Sequence, residues 1–352
     1  MSDNLAQRSV RSVTWNILES GITTALNLAQ FVILARLLPV ETFGIYASAN
    51  ATVTLVFSVA YFGLGGAFLY RTPETEDIER ASATMFTLKL ILTILFGILL
   101  LSGILIFADP QQSELRIALL VVTATTALNH QAHTAQSILV RRVQHGRLAI
   151  LSTVEEVLAT SASIGLALSG VTLWALLIRN IITPVVNLVG LYVWRPVWRP
   201  RLSWDPAGMR YFLSFGFRTM VTQWLYTALD NLDDIWTGAF LGSESLGFYS
   251  RAYRLARMPS VLITGPVSNV AGGTYAELKD QRKTLSSAFI LTNLAMVRSG
   301  FFLAGVIALI APEVVALLLG EKWLPMVGAF QLMLIYALFE PMKRTISNLY
   351  LS

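Results

Sequence analysis

The stretch "LDNLDDIW", Leu229 to Trp236, sets Asp230, Asp233 and Asp234 at i, i+3 and i+4 in an otherwise apolar run, so the carboxylates share one helix face. On the following apolar run Arg251, Arg254 and Arg257 recur every third residue and form a slowly drifting stripe. If these two helices make an antiparallel hairpin turning near Gly242 and Ser243, Asp234 is level with Arg251, Asp233 with Arg254, and Asp230 with Arg257. The chemistry available is ion pairing that fixes helix register, or the holding of ions in a cavity. Arg218, inside "SFGFRTMVTQW", and Lys343 and Arg344, beside Glu340, are likewise embedded in apolar sequence. An ionisable side chain facing lipid at such depth costs about 3 kcal/mol or more, so each is expected to face a cavity or a partner.

Asn16, Glu19, Asn27 and Gln30 repeat at helical spacing and give the first apolar run a polar face. Two readings stay open for it: an interhelical hydrogen-bond seam, or the wall of a cavity that takes polar ligands. His130 and His133 share a face, but no cysteine or carboxylate beside them completes a metal set, so they read as polar packing and no metal site is expected. Glu155 and Glu156 are adjacent and must point in different directions, which makes them a poor acid/base pair. The glycines of "FGLGGAF", Phe62 to Phe68, lack the strand-to-helix setting of a nucleotide loop and read as close helix packing. "EKWLP", Glu321 to Pro325, reads as an interfacial turn with Trp323 as its aromatic anchor.

The elements that carry these residues follow from composition. The chain is 55% hydrophobic and only 13% charged, with a mean hydropathy of +0.61, whereas a soluble domain carries about 25% charged residues. It reads as an all-α, polytopic transmembrane helical bundle. Ten spans are expected, near 10–36, 43–69, 83–107, 115–139, 148–169, 172–194, 210–239, 247–274, 284–310 and 326–350. Arg8, Arg11, Arg71, Arg80, Arg141, Arg142, Arg147, Arg195, Arg199, Arg201, Arg210, Lys279, Arg282 and Lys283 all fall on one side, which the positive-inside rule makes cytoplasmic. The N-terminus is therefore expected in the cytoplasm, with no cleaved leader. Basic residues sit in joins rather than on one aromatic-interleaved face, so nucleic acid is not an expected partner. There are no cysteines for disulfides or thiolate sites, and no nucleotide-binding domain is expected.

"LLPVETFGIYASA" (Leu37 to Ala49) and "FLGSESLGFYSRA" (Phe240 to Ala252) align without gaps at an offset of 203, with Leu38, Glu41, Gly44, Tyr46 and Ala49 matching Leu241, Glu244, Gly247, Tyr249 and Ala252. Such a repeat across an even number of helices implies two parallel, pseudo-symmetric lobes around a central cavity. The expected organisation is a six-helix lobe at 1–194, a cytoplasmic linker at 195–209, and a second lobe of about four helices at 210–352. Two readings stay open for that second lobe: it is truncated, with one or more helices lying outside this chain, or the protein is a natural ten-helix one.

"LARLLPVETFGIYA", "RPRLSWDPAGMRYFLSFG", "LDNLDDIWTGAFLGSESLGFYSRAYRLARMP" and "APEVVALLLGEKWLPM" occur in an order and spacing that resemble the polysaccharide transporter branch of the multidrug/oligosaccharidyl-lipid/polysaccharide exporters, close to the colanic-acid-type and O-antigen flippases. The resemblance implies a non-enzymatic inner-membrane flippase moving a polyprenyl-pyrophosphate-linked oligosaccharide from the cytoplasmic to the periplasmic leaflet by alternating access, for exopolysaccharide or O-antigen biosynthesis. Its partners would be membrane lipids, a polysaccharide polymerase and other assembly proteins. Substrate contacts are then expected from Arg218, Arg254, Arg257, Lys343 and Arg344 on phosphate, and from Asn16 and Glu19 on sugar; Asp233 and Asp234 with Arg251 would be structural pairs. Asp230 with Asn231 resembles an aspartate-bearing cation site on the seventh helix of the lipid II flippase branch, implying Na⁺ or H⁺ as coupling ion and no other cofactor. The alternatives are a multidrug/cation antiporter of the same superfamily and a membrane-bound glycan-assembly enzyme; the latter commonly has a long extracytoplasmic loop, which this sequence lacks.

Overall fold

A computed structural model describes residues 2–70, 78–107, 109–278 and 281–335, with backbone alone for 2–18, 259–273 and 276. Among these residues there are ten α-helices and no strand. They are α1 (Ser2–Leu37), α2 (Val40–Tyr61), α3 (Leu64–Tyr70), α4 (Ile78–Phe107), α5 (Ser113–Arg141), α6 (His145–Leu168), α7 (Thr172–Leu188), α8 (Pro206–Glu277), α9 (Arg282–Leu309) and α10 (Ala311–Leu318). The all-α membrane architecture expected from composition is the one observed. Among the described residues six segments are long and apolar enough to cross a bilayer: Glu19–Leu37, Val40–Tyr70, Ile78–Phe107, His145–Leu168, Thr172–Trp194 and Arg282–Leu309. The expected fourth span, α5, falls short of that apolarity because it carries Thr123, Thr125, Asn129, His130 and Gln131. It packs against α2, α4 and α7, where protein groups take the place of water for its polar side chains.

The chain divides into two compact units, Met1–Leu246 and Gly247–Ser352. In the first, Val53 and Phe57 of α2, Leu100 and Ile104 of α4, Ala118 and Val122 of α5, and Leu173 and Leu177 of α7 form the main apolar core. Small residues at Ala49, Ala60 and Ala118 let these helices approach closely. The opposite face of α4 exposes Leu95, Ile98, Leu99, Leu105 and Ile106, the apolar belt that a bilayer covers.

The second expected span is not continuous. Phe62 and Gly63 adopt left-handed φ of 45° and 60° and separate α2 from α3. A Cβ on Gly63 would lie 2.7 Å from Thr219 Cβ, and one on Gly216 would collide with the Phe62 carbonyl. Both glycines are therefore needed where α8 crosses the break, consistent with the close-packing reading of "FGLGGAF". Phe212 of α8 continues this contact into a second core with Leu64, Phe68, Met85 and Ile138. The segment 195–205 ahead of α8 is docked on the same unit: Asp205 pairs with Arg80 at 3.3 Å and Arg201 with Glu79 at 3.7 Å. Ser203 N–H donates to Thr87 Oγ1 at 2.9 Å, and Trp198 stands edge-on to Phe86.

The two copies of the repeat break their helices at equivalent positions, 39 and 242. Pro39, at the start of α2, has ψ 151°, and Gly242, inside α8, has φ 86° and ψ 171°. Helical geometry resumes directly after each, and Ala49 and Ala252, ten residues on in both copies, are fully buried. The expected turn near Gly242 and Ser243 thus coincides with an observed break.

In the second unit, Trp323 is 0% exposed, its ring edge-on to Phe248, and Ala311, Val315, Leu319, Met326 and Phe330 are buried as well. The expectation that Trp323 is an interfacial anchor is therefore corrected. The segment Glu321–Met326 is a 3₁₀ turn that swings the indole inward, and an indole removes more apolar area from water than its neighbours do.

Gly242 combines a positive φ with an extended ψ, and a methyl group on its Cα would meet nothing within 4 Å, so Gly242→Ala is expected to cost about 1–3 kcal/mol through the backbone alone. Gly103 on α4 also has open space but helical geometry, and Gly103→Ala is expected to be neutral or to stabilise by up to ~1 kcal/mol. Thermal unfolding in detergent, followed by tryptophan fluorescence, checks both.

Candidate functional site

Polar side chains in the first unit gather in two places, and the first is a seam centred on Arg179 of α7. Its Nη1 donates to Glu156 Oε2 at 3.0 Å while Nη2 donates to Glu156 Oε1, a bidentate pair. Nη2 also donates to Gln30 Oε1 at 2.8 Å and to Asn27 Oδ1 at 3.2 Å on α1. Thr160 Oγ1 adds a donor to Glu156 Oε1 at 3.2 Å. Glu155 turns the other way, accepting from Thr183 Oγ1 at 2.7 Å and Asn187 Nδ2 at 3.4 Å. Asn187 Nδ2 reaches Asn129 Oδ1 on α5 at 3.2 Å, and Tyr46 of α2 donates to Asn180 Oδ1 at 2.9 Å. Glu19 Oε1 accepts from Ser152 Oγ at 2.6 Å. Of the two readings for the polar face of α1, the geometry at Glu19, Asn27 and Gln30 is the interhelical seam.

The second place is a cavity of about 500 Å³ walled by α2, α3, α4, α5 and the first stretch of α8. Thr219, Gln223 and Thr227 enter it at successive four-residue steps along α8. From the other side come Lys89 of α4 and His133 and Ser137 of α5. His133 Nε2 and the Tyr61 hydroxyl are 2.7 Å apart at its rim, and His130, directly behind, places Nδ1 2.6 Å from Thr93 Oγ1. Lys89 is 2% exposed. The described lining contains no Asp or Glu, so Lys89 is its one formal charge. Among the described residues no group of three or more His, Cys, Asp or Glu is placed to hold a metal ion.

The residues named from sequence fall differently. Arg218 is exposed on α8 one position before Thr219, at the edge of the cavity-facing stripe. Asn231 continues that stripe one turn beyond Thr227 and donates to the Thr227 carbonyl at 2.8 Å. Asp230 is exposed, while Asp233 and Asp234 are half-buried. In the second unit Arg251 is 7% exposed, Arg254 is exposed, and Arg257 lies over the Tyr253 ring at 5.3 Å and donates to its hydroxyl at 3.3 Å. The three burial levels differ because a three-residue step turns the helix face by about 60°. The Asn16 side chain, Lys343 and Arg344 lie outside the described residues.

Lys89 and Arg179 were not singled out in the sequence. The signal was present: each is a lone cation in an apolar run, "TLKLILTIL" and "WALLIRNII", and the depth argument applied to Arg218 applies equally to them.

A family model described as "Polysaccharide biosynthesis protein" matches residues 33–328. The succinoglycan biosynthesis transport protein of Rhizobium meliloti (strain 1021) is 25% identical over 90% of this chain and 64% of its own length. The teichuronic acid biosynthesis protein of Bacillus subtilis (strain 168) is 22% identical over 96% and 70%. The lipopolysaccharide biosynthesis protein of Escherichia coli (strain K12) is 21% identical over 99% and 71%. The chain thus spans about two thirds of the length of these relatives. Among solved structures, a multidrug resistance MATE family transporter of the MOP superfamily in an inward-facing conformation matches with a TM-score of 0.61 at 16% identity, over 94% of this chain and 83% of its own. A MOP superfamily transporter from Pyrococcus furiosus matches with a TM-score of 0.56 at 18% identity, over 98% and 84%. At these identities the likeness is one of fold.

Glu156 and Arg179 are both largely withdrawn from solvent, with side-chain exposures of 8% and 28%. Arg179→Met or Glu156→Leu alone is expected to destabilise by about 3–5 kcal/mol because each strands the other's charge, and the double variant by much less. A thermal-unfolding double-mutant cycle in detergent reads the difference.

Proposed function

We propose, starting from the fact that the chain belongs to the polysaccharide biosynthesis protein family, that it translocates a polyprenyl-pyrophosphate-linked oligosaccharide from the cytoplasmic to the periplasmic leaflet of the inner membrane. The observation that carries this reading is the cavity in the first unit, which has a buried cation and no carboxylate in its described lining. A sugar diphosphate cannot enter hydrocarbon, whereas its prenyl tail gains roughly 0.8 kcal/mol for each methylene that stays there. The protein then need house only the head, exchanging it between the two sides by alternating access. Such a process makes and breaks no covalent bond, in keeping with a transporter rather than an enzyme. The charge distribution of the joins sets the N-terminus in the cytoplasm under this reading.

Phosphate oxygens are matched by guanidinium forks, which assigns Arg218, Arg254, Arg257 and Arg344, with Lys343, to the head as it passes. Asn16 would meet sugar hydroxyls, while Glu19, which accepts from Ser152 Oγ, belongs to the interhelical seam. Asp230 with Asn231 is assigned to the coupling ion, Na⁺ or H⁺. Polymerase and other assembly proteins receive the product on the far side. The likeness of fold to multidrug transporters favours, as second reading, a drug/cation antiporter. A cationic substrate is poorly served by a cavity whose described charge is a lysine.

Deleting the gene in its own host is expected to abolish surface polysaccharide and to trap the lipid-linked intermediate in the cytoplasmic leaflet. Drug sensitivity with normal polymer would instead establish the antiporter. Arg254→Ala and Arg257→Ala are each expected to abolish polymer while leaving membrane insertion intact, read by anti-glycan blotting and membrane fractionation; normal polymer in both removes the arginines from the head's path. Asp230→Asn is expected to make translocation in proteoliposomes indifferent to imposed Na⁺ and H⁺ gradients. A retained response to either gradient removes Asp230 from coupling.

A further inference from the structure

Lys89 presents an unusual combination. Its ammonium is withdrawn from bulk water, it lines the cavity, and among the described residues no hydrogen-bond acceptor or carboxylate pairs with it. Arg179, in the same unit, has four acceptor contacts from three side chains. An ammonium in a low-dielectric interior is costly unless paired, so a lysine kept there without a protein partner points to one supplied from outside. The surroundings say what that partner is. Tyr61, Thr126, Ser137, Thr219 and Gln223 bring hydroxyls and an amide to the walls, His133 Nε2 shares a proton with the Tyr61 hydroxyl at 2.7 Å, and no described lining residue is acidic. Hydroxyls and an amide lining one cavity with an ammonium suit a multi-oxygen anion, and lysine binds phosphate as a compact point charge. The volume of about 500 Å³ lies within the range of small-molecule sites.

We infer that Lys89, with Tyr61 and His133 beside it, is an oxyanion subsite that holds a phosphate group of the ligand within the first unit. This rests on the proposed function for the identity of the ligand, but the subsite itself is defined by the cavity. It also separates roles among cations that sequence alone treats alike: Arg179 is committed to Glu156, Asn27 and Gln30 and serves the scaffold, whereas Lys89 is left available. His130 Nε2, buried just behind and without a partner among the described residues, forms the second layer of the same pocket, its ring 4.4 Å from that of Tyr61.

The full chain, purified in detergent, is titrated with farnesyl diphosphate, inorganic pyrophosphate, farnesol and sodium sulfate, with binding read from the shift in thermal midpoint. Farnesyl diphosphate is expected to stabilise the wild type and farnesol to leave it unchanged. Lys89→Gln is expected to weaken the diphosphate by roughly ten- to hundredfold, as loss of a charge-assisted contact does, and Lys89→Arg to retain part of the affinity. Without ligand, Lys89→Met is expected to melt no lower than wild type, because it removes a buried charge that has no partner. Equal diphosphate affinity in wild type and Lys89→Gln, with both variants folded by size-exclusion profile, overturns the subsite. A lower midpoint for ligand-free Lys89→Met also overturns it, since that would show Lys89 already satisfied within the protein. If pyrophosphate binds through Lys89 as tightly as farnesyl diphosphate, the subsite stands and its source is a free phosphate, so the lipid-linked reading fails. If farnesyl diphosphate binds independently of Lys89 while gene deletion traps the lipid-linked intermediate, the subsite fails and that reading stands.

Discussion

Charge held away from water is stable only when something replaces the water, and two cations in one unit meet that condition in opposite ways. Arg179 is saturated by Glu156, Gln30 and Asn27 and ties α1, α6 and α7 together. Lys89 is left in a cavity among hydroxyls and an imidazole. The first arrangement resists change, because separating the pair exposes two unbalanced charges to a low-dielectric interior. The second is poised to accept an anion.

The backbone makes the cavity possible. Two left-handed residues, Phe62 and Gly63, split the second span, and Gly63 and Gly216 bring α8 against the break. With side chains at those positions α8 would stand off, and Thr219, Gln223 and Thr227 would no longer face Lys89 and His133 across one space. The same glycines that read as packing in the sequence therefore act as determinants of the site. The segment 195–205 ahead of α8 contacts the rest of the unit through Arg80–Asp205 and Glu79–Arg201.

The family and the fold agree on a polysaccharide-related membrane protein built like the MOP transporters. Under the proposed function the substrate is half lipid, and the protein would supply only a passage for its head. A saturated seam beside such a cavity is a physical division suited to that role, since it combines a wall of paired charge with a pocket whose cation has no partner among the described residues.

The sequence alone determined the all-α membrane architecture, because hydrocarbon imposes length and apolarity on every span and these are read directly from residue order. It also located the repeat, whose copies break at Pro39 and Gly242, and it predicted that Glu155 and Glu156 diverge, since adjacent helical positions point apart. It did not show that the second span breaks at Phe62, because a left-handed turn leaves little trace in hydropathy. It placed Trp323 at an interface when the indole is core, because enrichment of tryptophan at interfaces says nothing about which way a short 3₁₀ turn aims it. Lys89 and Arg179 were equally visible as lone cations in apolar runs, yet nothing in the sequence told them apart. Only the tertiary structure did so: Arg179 meets Gln30 and Asn27 across 149 and 152 residues, and whether a buried charge finds such a partner depends on helix rotation and register between distant segments, which local periodicity does not encode.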